Sequence, residues 1–254
     1  MPPILELKEL NKRFGGITAV KDFNLQVEKG QIIGLIGPNG AGKTTLFNLI
    51  TGFLKPDSGT IMFKGKNITK LKPHKIANMG LVRTFQLVKP FKRMLAIENV
   101  AVGCYSDRSK KKRKDRDDVP QKAFDALQRV GINPPNTFKL AMTLSHGYSR
   151  RLDIARALVL EPDVLLLDEP FGGLGAKESN LMTPLIQKLH REDNLTLIII
   201  EHKMRQLMKI AEKLVVMQFG EKIAEGTCRE VTEDPKVCEA YLGKGGHDYF
   251  ARNK

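Results

Sequence analysis

The stretch QIIGLIGPNGAGKTT, Gln31 to Thr45, decides the architecture of this 254-residue chain. Ile32 to Ile36 is a short apolar run rich in β-branched residues, and TTLFNLITGFL after the loop repeats apolar positions at helical spacing. Between them, Gly37-Pro38-Asn39-Gly40-Ala41-Gly42-Lys43-Thr44 matches G-x-x-x-x-G-K-[ST], in the strand, loop, helix order that gives the motif its meaning. Backbone N–H groups must converge on phosphate oxygens there, a geometry that side chains obstruct, and the helix N-terminus adds its positive dipole end. Lys43 supplies a fixed charge for terminal phosphates, and Thr44 offers a hydroxyl to Mg²⁺. Thr45 completes the set of candidate binding residues with Gly37, Pro38, Asn39, Gly40, Ala41 and Gly42.

A second signal lies downstream in Val164-Leu165-Leu166-Leu167-Asp168-Glu169, an apolar strand that delivers two carboxylates at its end. Asp168 is placed to hold Mg²⁺, directly or through water. Glu169 is placed to orient the attacking water or take its proton, a role that typically contributes about 10²–10⁴-fold. The two motifs together specify a P-loop nucleoside triphosphatase and nothing narrower.

Three weaker signals narrow it. Gln86, after GLVRTF, reads either as a solvent-facing strand end or as a ligand to Mg²⁺ or water on a movable loop. His202, ending LTLIIIEH, is either structural or in reach of a γ-phosphate from a neighbouring strand. Leu144-Ser145-His146-Gly147-Tyr148 precedes the helical pattern RRLDIARAL. Ser145 and Gly147 form either an ordinary N-cap or a helix end that offers N–H groups and a hydroxyl to a phosphate from outside. The helical insertion is expected to hold that end away from its own phosphate loop, so that an inverted second copy closes it over the nucleotide.

The remaining chain fits an α/β core. Ile4 to Val27 reads as a small antiparallel sheet turning at Gly15-Gly16, IMFKGKNIT and GLVRTFQ as further strands, and residues 91–159 as a mostly helical insertion. VLLLDEP, a helix around LMTPLIQKLHRE, LTLIIIEH and the closing pair KLVVMQFGEKIAEGT resume the alternation. The expected division is one domain, 1–254, with core residues 1–90 and 160–242, the insertion, and a polar tail at 243–254. Lys and Arg number 42 against 28 Asp and Glu, a formal charge of +14 that suits phosphates or an anionic surface. The densest basic run, Arg108 to Arg116, lacks interleaved aromatics for base stacking and reads either as a solvated loop or as a patch touching lipid headgroups or nucleic acid. No apolar run approaches the roughly 18 residues of a membrane span. The acidic N-terminal start lacks a secretory pattern, and three scattered cysteines lack metal-site spacing, which places the chain in the cytoplasm.

In their order, the phosphate loop, Gln86, the LSHGY stretch, the Asp168-Glu169 pair and His202 resemble ATP-binding-cassette ATPases over nearly the whole chain. The resemblance implies ATP as the nucleotide, a mostly parallel core sheet with an N-terminal antiparallel subdomain and an inserted helical subdomain, and a dimer that sandwiches ATP. It implies that Phe14 stacks on adenine; read locally, Phe14 is equally a core aromatic. Two residues depart from the pattern: the signature usually reads LSGGQ, and the loop after the acidic pair usually ends in aspartate where Gly175 stands. VRTFQ, FKRMLAIENV and AEGTCREVTEDPKVCEAYLG resemble, more narrowly, the ATPase subunits of branched-chain amino-acid importers. That likeness implies membrane subunits docked near Phe85 to Phe91, a second ATPase chain, an external binding protein, and a place at the cytoplasmic membrane face. The alternatives are a urea importer, a lipid exporter, or a soluble cassette acting on nucleic acid. The last usually carries two cassettes, a coiled coil or zinc-binding cysteines, and none is visible.

Overall fold

The computed structural model describes residues 2–112 and 118–242. Alternating apolar positions build the first sheet. Leu5, Leu7 and Leu10 on β1 (Leu5–Phe14) and Val20, Phe23, Leu25 and Val27 on β2 (Ile17–Val27) are all buried. A register shift after Leu7, with Glu9 at φ 49°, keeps Leu10 on the buried face. β4 (Ser58–Phe63) pairs with β1, and β5 (Lys66–Asn67) with β4, so the order is β2-β1-β4-β5, antiparallel throughout.

The second sheet contains β3 (Ile32–Ile36), β6 (Leu81–Arg83), β7 (Val164–Asp168), β8 (Thr196–Ile200), β9 (Lys213–Gln218) and β10 (Glu221–Gly226), in the order β10-β9-β3-β8-β7-β6. All neighbours are parallel except β10 against β9. β3, β7 and β8 are buried at every position, as strands covered on both faces must be. Successive residues separate into two cores. Ile33, Leu35, Leu166, Ile198 and Ile200 join α1 (Lys43–Ile50) and the first sheet. Ile32, Ile36, Leu165, Leu167, Leu197 and Ile199 join α3 (Ala96–Cys104), α5 (Val119–Arg129), α6 (His146–Leu158) and α7 (Ala176–Asp193).

Local turns correct several expected boundaries. The helix after the phosphate loop stops at Ile50 because the chain turns at Thr51 and at Gly52, φ 74°. The run expected as one strand at IMFKGKNIT is a hairpin that turns at Lys64-Gly65, and β6 ends at Arg83, three residues before Gln86. Short helices α2 (Pro73–Met79), α4 (Asp107–Lys112), α8 (Met204–Leu207), α9 (Cys228–Glu233) and α10 (Pro235–Leu242) are additional. The basic run begins on α4 rather than in a loop: Arg108 donates to Leu160 O, Glu161 O and Asp163 Oδ2, so a neighbouring acid and two carbonyls order its first turn. The rest of that run and the expected polar tail lie outside the described residues.

This topology positions the site. The parallel strands β3, β6, β7 and β8 all end at one edge of the sheet, where open α/β folds place their ligands. Ile200 pairs with both Leu35 and Asp168, so the chain leaves β3, β7 and β8 side by side as Gly37, Glu169 and His202 approach.

Candidate active site

The phosphate loop is held open by close packing that only glycine permits. A β-carbon on Gly37 (φ 152°) would lie 2.1 Å from Met217 O, and one on Gly42 (φ 103°) would lie 2.2 Å from Ala19 O. Gly42 caps α1 without a side-chain hydrogen bond, which leaves the first-turn N–H groups without intrahelical acceptors. Lys43, buried in the loop, donates from Nζ to Gly37 O at 2.7 Å and Pro38 O at 2.9 Å. Burial pulls its ammonium below the ordinary lysine range, against the nearby Glu169 and Asp168 carboxylates, which favour the charged form. Thr44 is exposed at the loop end, and Thr45 is partly buried.

The crowding at Gly37 sets an expected result. Gly37→Ala should lower stability by about 1–3 kcal/mol, the scale of enforced backbone strain, and abolish nucleotide binding. Gly40→Ala, at φ 80° with no atom within 4 Å of the added carbon, should carry the conformational cost alone. Thermal melts and nucleotide titration of both variants test this; equal effects would remove the role of the Met217 contact.

The catalytic candidates meet at Glu169. This residue follows β7 at φ 51°, its N–H bonded to Ile200 O at 2.9 Å, so the turn is pinned to β8. Gln86 Nε2 donates to Glu169 Oε2 at 3.0 Å, and His202 Nε2 lies 3.3 Å from Glu169 Oε1. Three residues far apart in the chain thus share one carboxylate. Asp168 is buried and engaged: Arg83 Nη2 reaches its Oδ2 at 2.6 Å while Arg83 Nη1 reaches Asn48 Oδ1 at 2.6 Å. Thr44, Gln86 and Asp168 all line one cleft of about 760 Å³, which Phe85, Leu87 and Phe91 extend with apolar surface.

Other candidates lie apart. Phe14 is half-exposed at the β1–β2 turn, with Lys12 Nζ 5.6 Å from its ring centre. Ser145 caps α6, its Oγ accepting from Tyr148 N at 3.4 Å. Ser145 and Gly147 line a separate hollow of about 160 Å³ with Tyr148, Arg151 and Glu178. That hollow shares no lining residue with the cleft beside Asp168.

Sequence reasoning missed residues that arrange the site. Glu201 is a buried acid whose Oε1 accepts from Phe171 N at 2.7 Å and whose Oε2 accepts from His202 N and Lys203 N, both at 2.9 Å. Burial pushes its carboxyl above the ordinary range, the three N–H groups oppose this, and the Glu169 charge adds to it. It ties the segment after Glu169 to the segment carrying His202. The signal was an acid ending a fully apolar strand, a group too costly to bury unsatisfied. Arg83, Arg150, which donates to Gln86 O at 2.7 Å, and Asp153, whose Oδ2 accepts from Phe85 N at 3.4 Å, gave no such signal, since charged residues on amphipathic elements read as solvated.

A glycine loop at a helix N-terminus, a lysine within it and a carboxylate held by two polar side chains define a nucleoside triphosphatase of the P-loop class. A family model described as ABC transporter matches residues 20–172, and one described as branched-chain amino acid ATP-binding cassette transporter matches 221–247. The high-affinity branched-chain amino acid transport ATP-binding protein BraF of Pseudomonas aeruginosa is 41% identical over 252 residues, 95% of this chain and 98% of that protein. LivG of Escherichia coli, with the same description, is 40% identical at the same coverage. The crystal structure of MJ1267, an ATP-binding cassette of an ABC transporter in its ADP conformation, superposes with TM-score 0.84 at 34% identity, covering 96% of this chain and all of that one. A dimeric post-hydrolysis structure of the cassette MJ0796 bound to ADP and Pi gives TM-score 0.78 at 25% identity over 88% and 98%. The chain belongs to the ABC transporter family, as an ATP-binding cassette with ATPase activity.

Proposed function

We propose that this cassette powers the import of branched-chain amino acids from the cytoplasmic face of a membrane, paired with a second ATPase chain beneath membrane subunits that receive substrate from an external binding protein. The carrying observation is the likeness to BraF and LivG, 41% and 40% over 95% of the chain, joined to the match at residues 221–247. No helix among the described residues is long and apolar enough to cross a membrane. The exposed Phe85, Leu87 and Phe91 beside Gln86 give the membrane subunits an apolar seat that continues into the cleft beside Asp168.

Within the cassette, Gly37 to Thr45 cradle the triphosphate, Phe14 stacks on adenine, and Lys43 pairs with the terminal phosphates. Glu169 takes the proton of the attacking water, with Gln86 and His202 holding its carboxylate. The donor set suits Mg²⁺: the Thr44 hydroxyl, the Gln86 amide oxygen and an Asp168 carboxylate oxygen are hard ligands around one cleft. Arg83 engages one Asp168 oxygen and leaves the other available. When bound, the cation neutralises phosphate charge.

Ser145 and Gly147 serve the site of the opposite chain. Ser145 Oγ already accepts from Tyr148 N, so its hydroxyl hydrogen remains free for a phosphate oxygen presented from outside. The stretch 91–159 acts as the lever between the membrane seat and that helix end. Mixing Ser145→Ala chains with Lys43→Ala chains tests the arrangement. Neither variant alone is expected to trap ATP between two chains, while mixed dimers contain one site with both residues intact and should trap one ATP per dimer. Mixtures that trap no nucleotide would overturn the shared site. Gentle detergent purification from native membranes should retrieve membrane subunits with the chain; retention of nucleic acid instead would overturn the transport assignment.

A further inference from the structure

The loop that follows Glu169 is bound to the helix that begins with Ser145, within the same chain. Gly172 N donates to Glu169 O at 2.9 Å, closing a tight turn on the catalytic residue. The Gly172 carbonyl then accepts from α6 twice: His146 Nε2 stands 3.0 Å away and Arg150 Nη2 3.3 Å away. Since a carbonyl only accepts, His146 carries its hydrogen on Nε2. Both lone pairs of one oxygen are used. Gly173 is crowded by the same contact, for a β-carbon there would lie 2.7 Å from His146 Nε2. Arg150, buried, sends its other arm, Nη1, to Gln86 O at 2.7 Å.

These bonds form one continuous path. It runs from Glu169 through Gly172 to α6, whose N-cap is Ser145, with Gln86 attached through Arg150. In a dimer with shared sites, Glu169 acts on one nucleotide while Ser145 of that chain covers the other. Gly175 carries no side chain toward the opposite chain; Glu178 Oε2 accepts from its N–H at 3.2 Å instead. A within-chain route is therefore available where a cross-chain side chain is missing.

We infer that His146 and Arg150 are positioning residues that couple the two ATP sites, by making the Glu169 loop and the Ser145 helix end move as one piece. This rests on the shared-site reading proposed above. A coupled dimer with one Glu169→Gln chain and one unaltered chain should turn over at less than about a tenth of the unaltered rate, because a stalled site holds its partner. Placing His146→Ala in both chains of that hybrid should release the intact site to about half the rate of a His146→Ala dimer, as two independent sites would behave. Arg150→Lys, which keeps the charge but cannot span Gln86 O and Gly172 O together, should release it as well. His146→Gln, whose amide donates at similar reach, should restore the stall.

The hybrids are prepared with two affinity tags on the full chain, and dimer formation in ATP is measured by size exclusion before turnover. Hybrids that form but stay stalled with His146→Ala and Arg150→Lys overturn the coupling and leave the shared site intact. An unaltered hybrid that already runs at half rate overturns it too. Glu169→Gln chains that remain monomeric in saturating ATP overturn the shared site and the coupling with it.

Discussion

A chain carrying Glu169→Gln is expected to bind ATP like the parent and to turn it over about 10²–10⁴-fold more slowly. Glutamine has the size of glutamate and keeps an oxygen for Gln86 Nε2 or His202 Nε2, which lie 3.0 and 3.3 Å from the present carboxylate. What it loses is the ability to take a proton from water. The backbone turn at φ 51° and its bond to Ile200 O do not depend on the side chain, so the loop keeps its place. Binding rests on the glycine loop and Lys43, which the change does not touch. Nucleotide should therefore remain trapped, and ATP-bound dimers should accumulate on size exclusion. Parent-like turnover in a steady-state assay would remove Glu169 from the chemical step.

Lys43→Ala should have the opposite signature, a failure to bind. Truncating one member of a desolvated charge pair costs about 2–5 kcal/mol, so affinity for ATP should fall at least about thirtyfold. The folded protein already disfavours the Lys43 charge through burial, and a triphosphate supplies the counter-charge that restores it. ATP binding thus favours the protonated lysine. Affinity should decline as pH rises through the depressed lysine value, below the range of an ordinary lysine. Lys43→Arg stays charged throughout and should lack that decline. Calorimetric titration across alkaline pH reads both effects; a parent affinity for Lys43→Ala, or a flat profile in the parent, would refute the role of this charge.

The fold was legible where a single element carried its own signal. IIGLI, VLLLD and TLIII declared buried parallel strands because each is apolar on both faces. Short helices such as α2 and α8 escaped notice because one or two turns hold too few residues to show a period. Of the site, the loop Gly37 to Thr45 and the pair Asp168 and Glu169 announced themselves by spacing. Arg150 did not, since its partners, Gln86 O and Gly172 O, are backbone groups more than twenty residues away, and at Glu201 only the acid at the end of an apolar strand hinted at its role, its bond to Phe171 N being equally remote.

Local sequence thus determined the chemistry that each segment can offer: a phosphate cradle requires glycines next to a lysine, and an apolar strand ending in acids must bring them to a sheet edge. Only the tertiary structure decided which of these segments meet. Gln86, Glu169 and His202 converge because β6, β7 and β8 lie side by side and in parallel, an arrangement set by packing two apolar faces into two cores. The same packing directed His146 and Arg150 onto the Gly172 carbonyl. Contacts of this kind depend on strand order and helix docking, which are properties of the whole chain, so no local pattern records them.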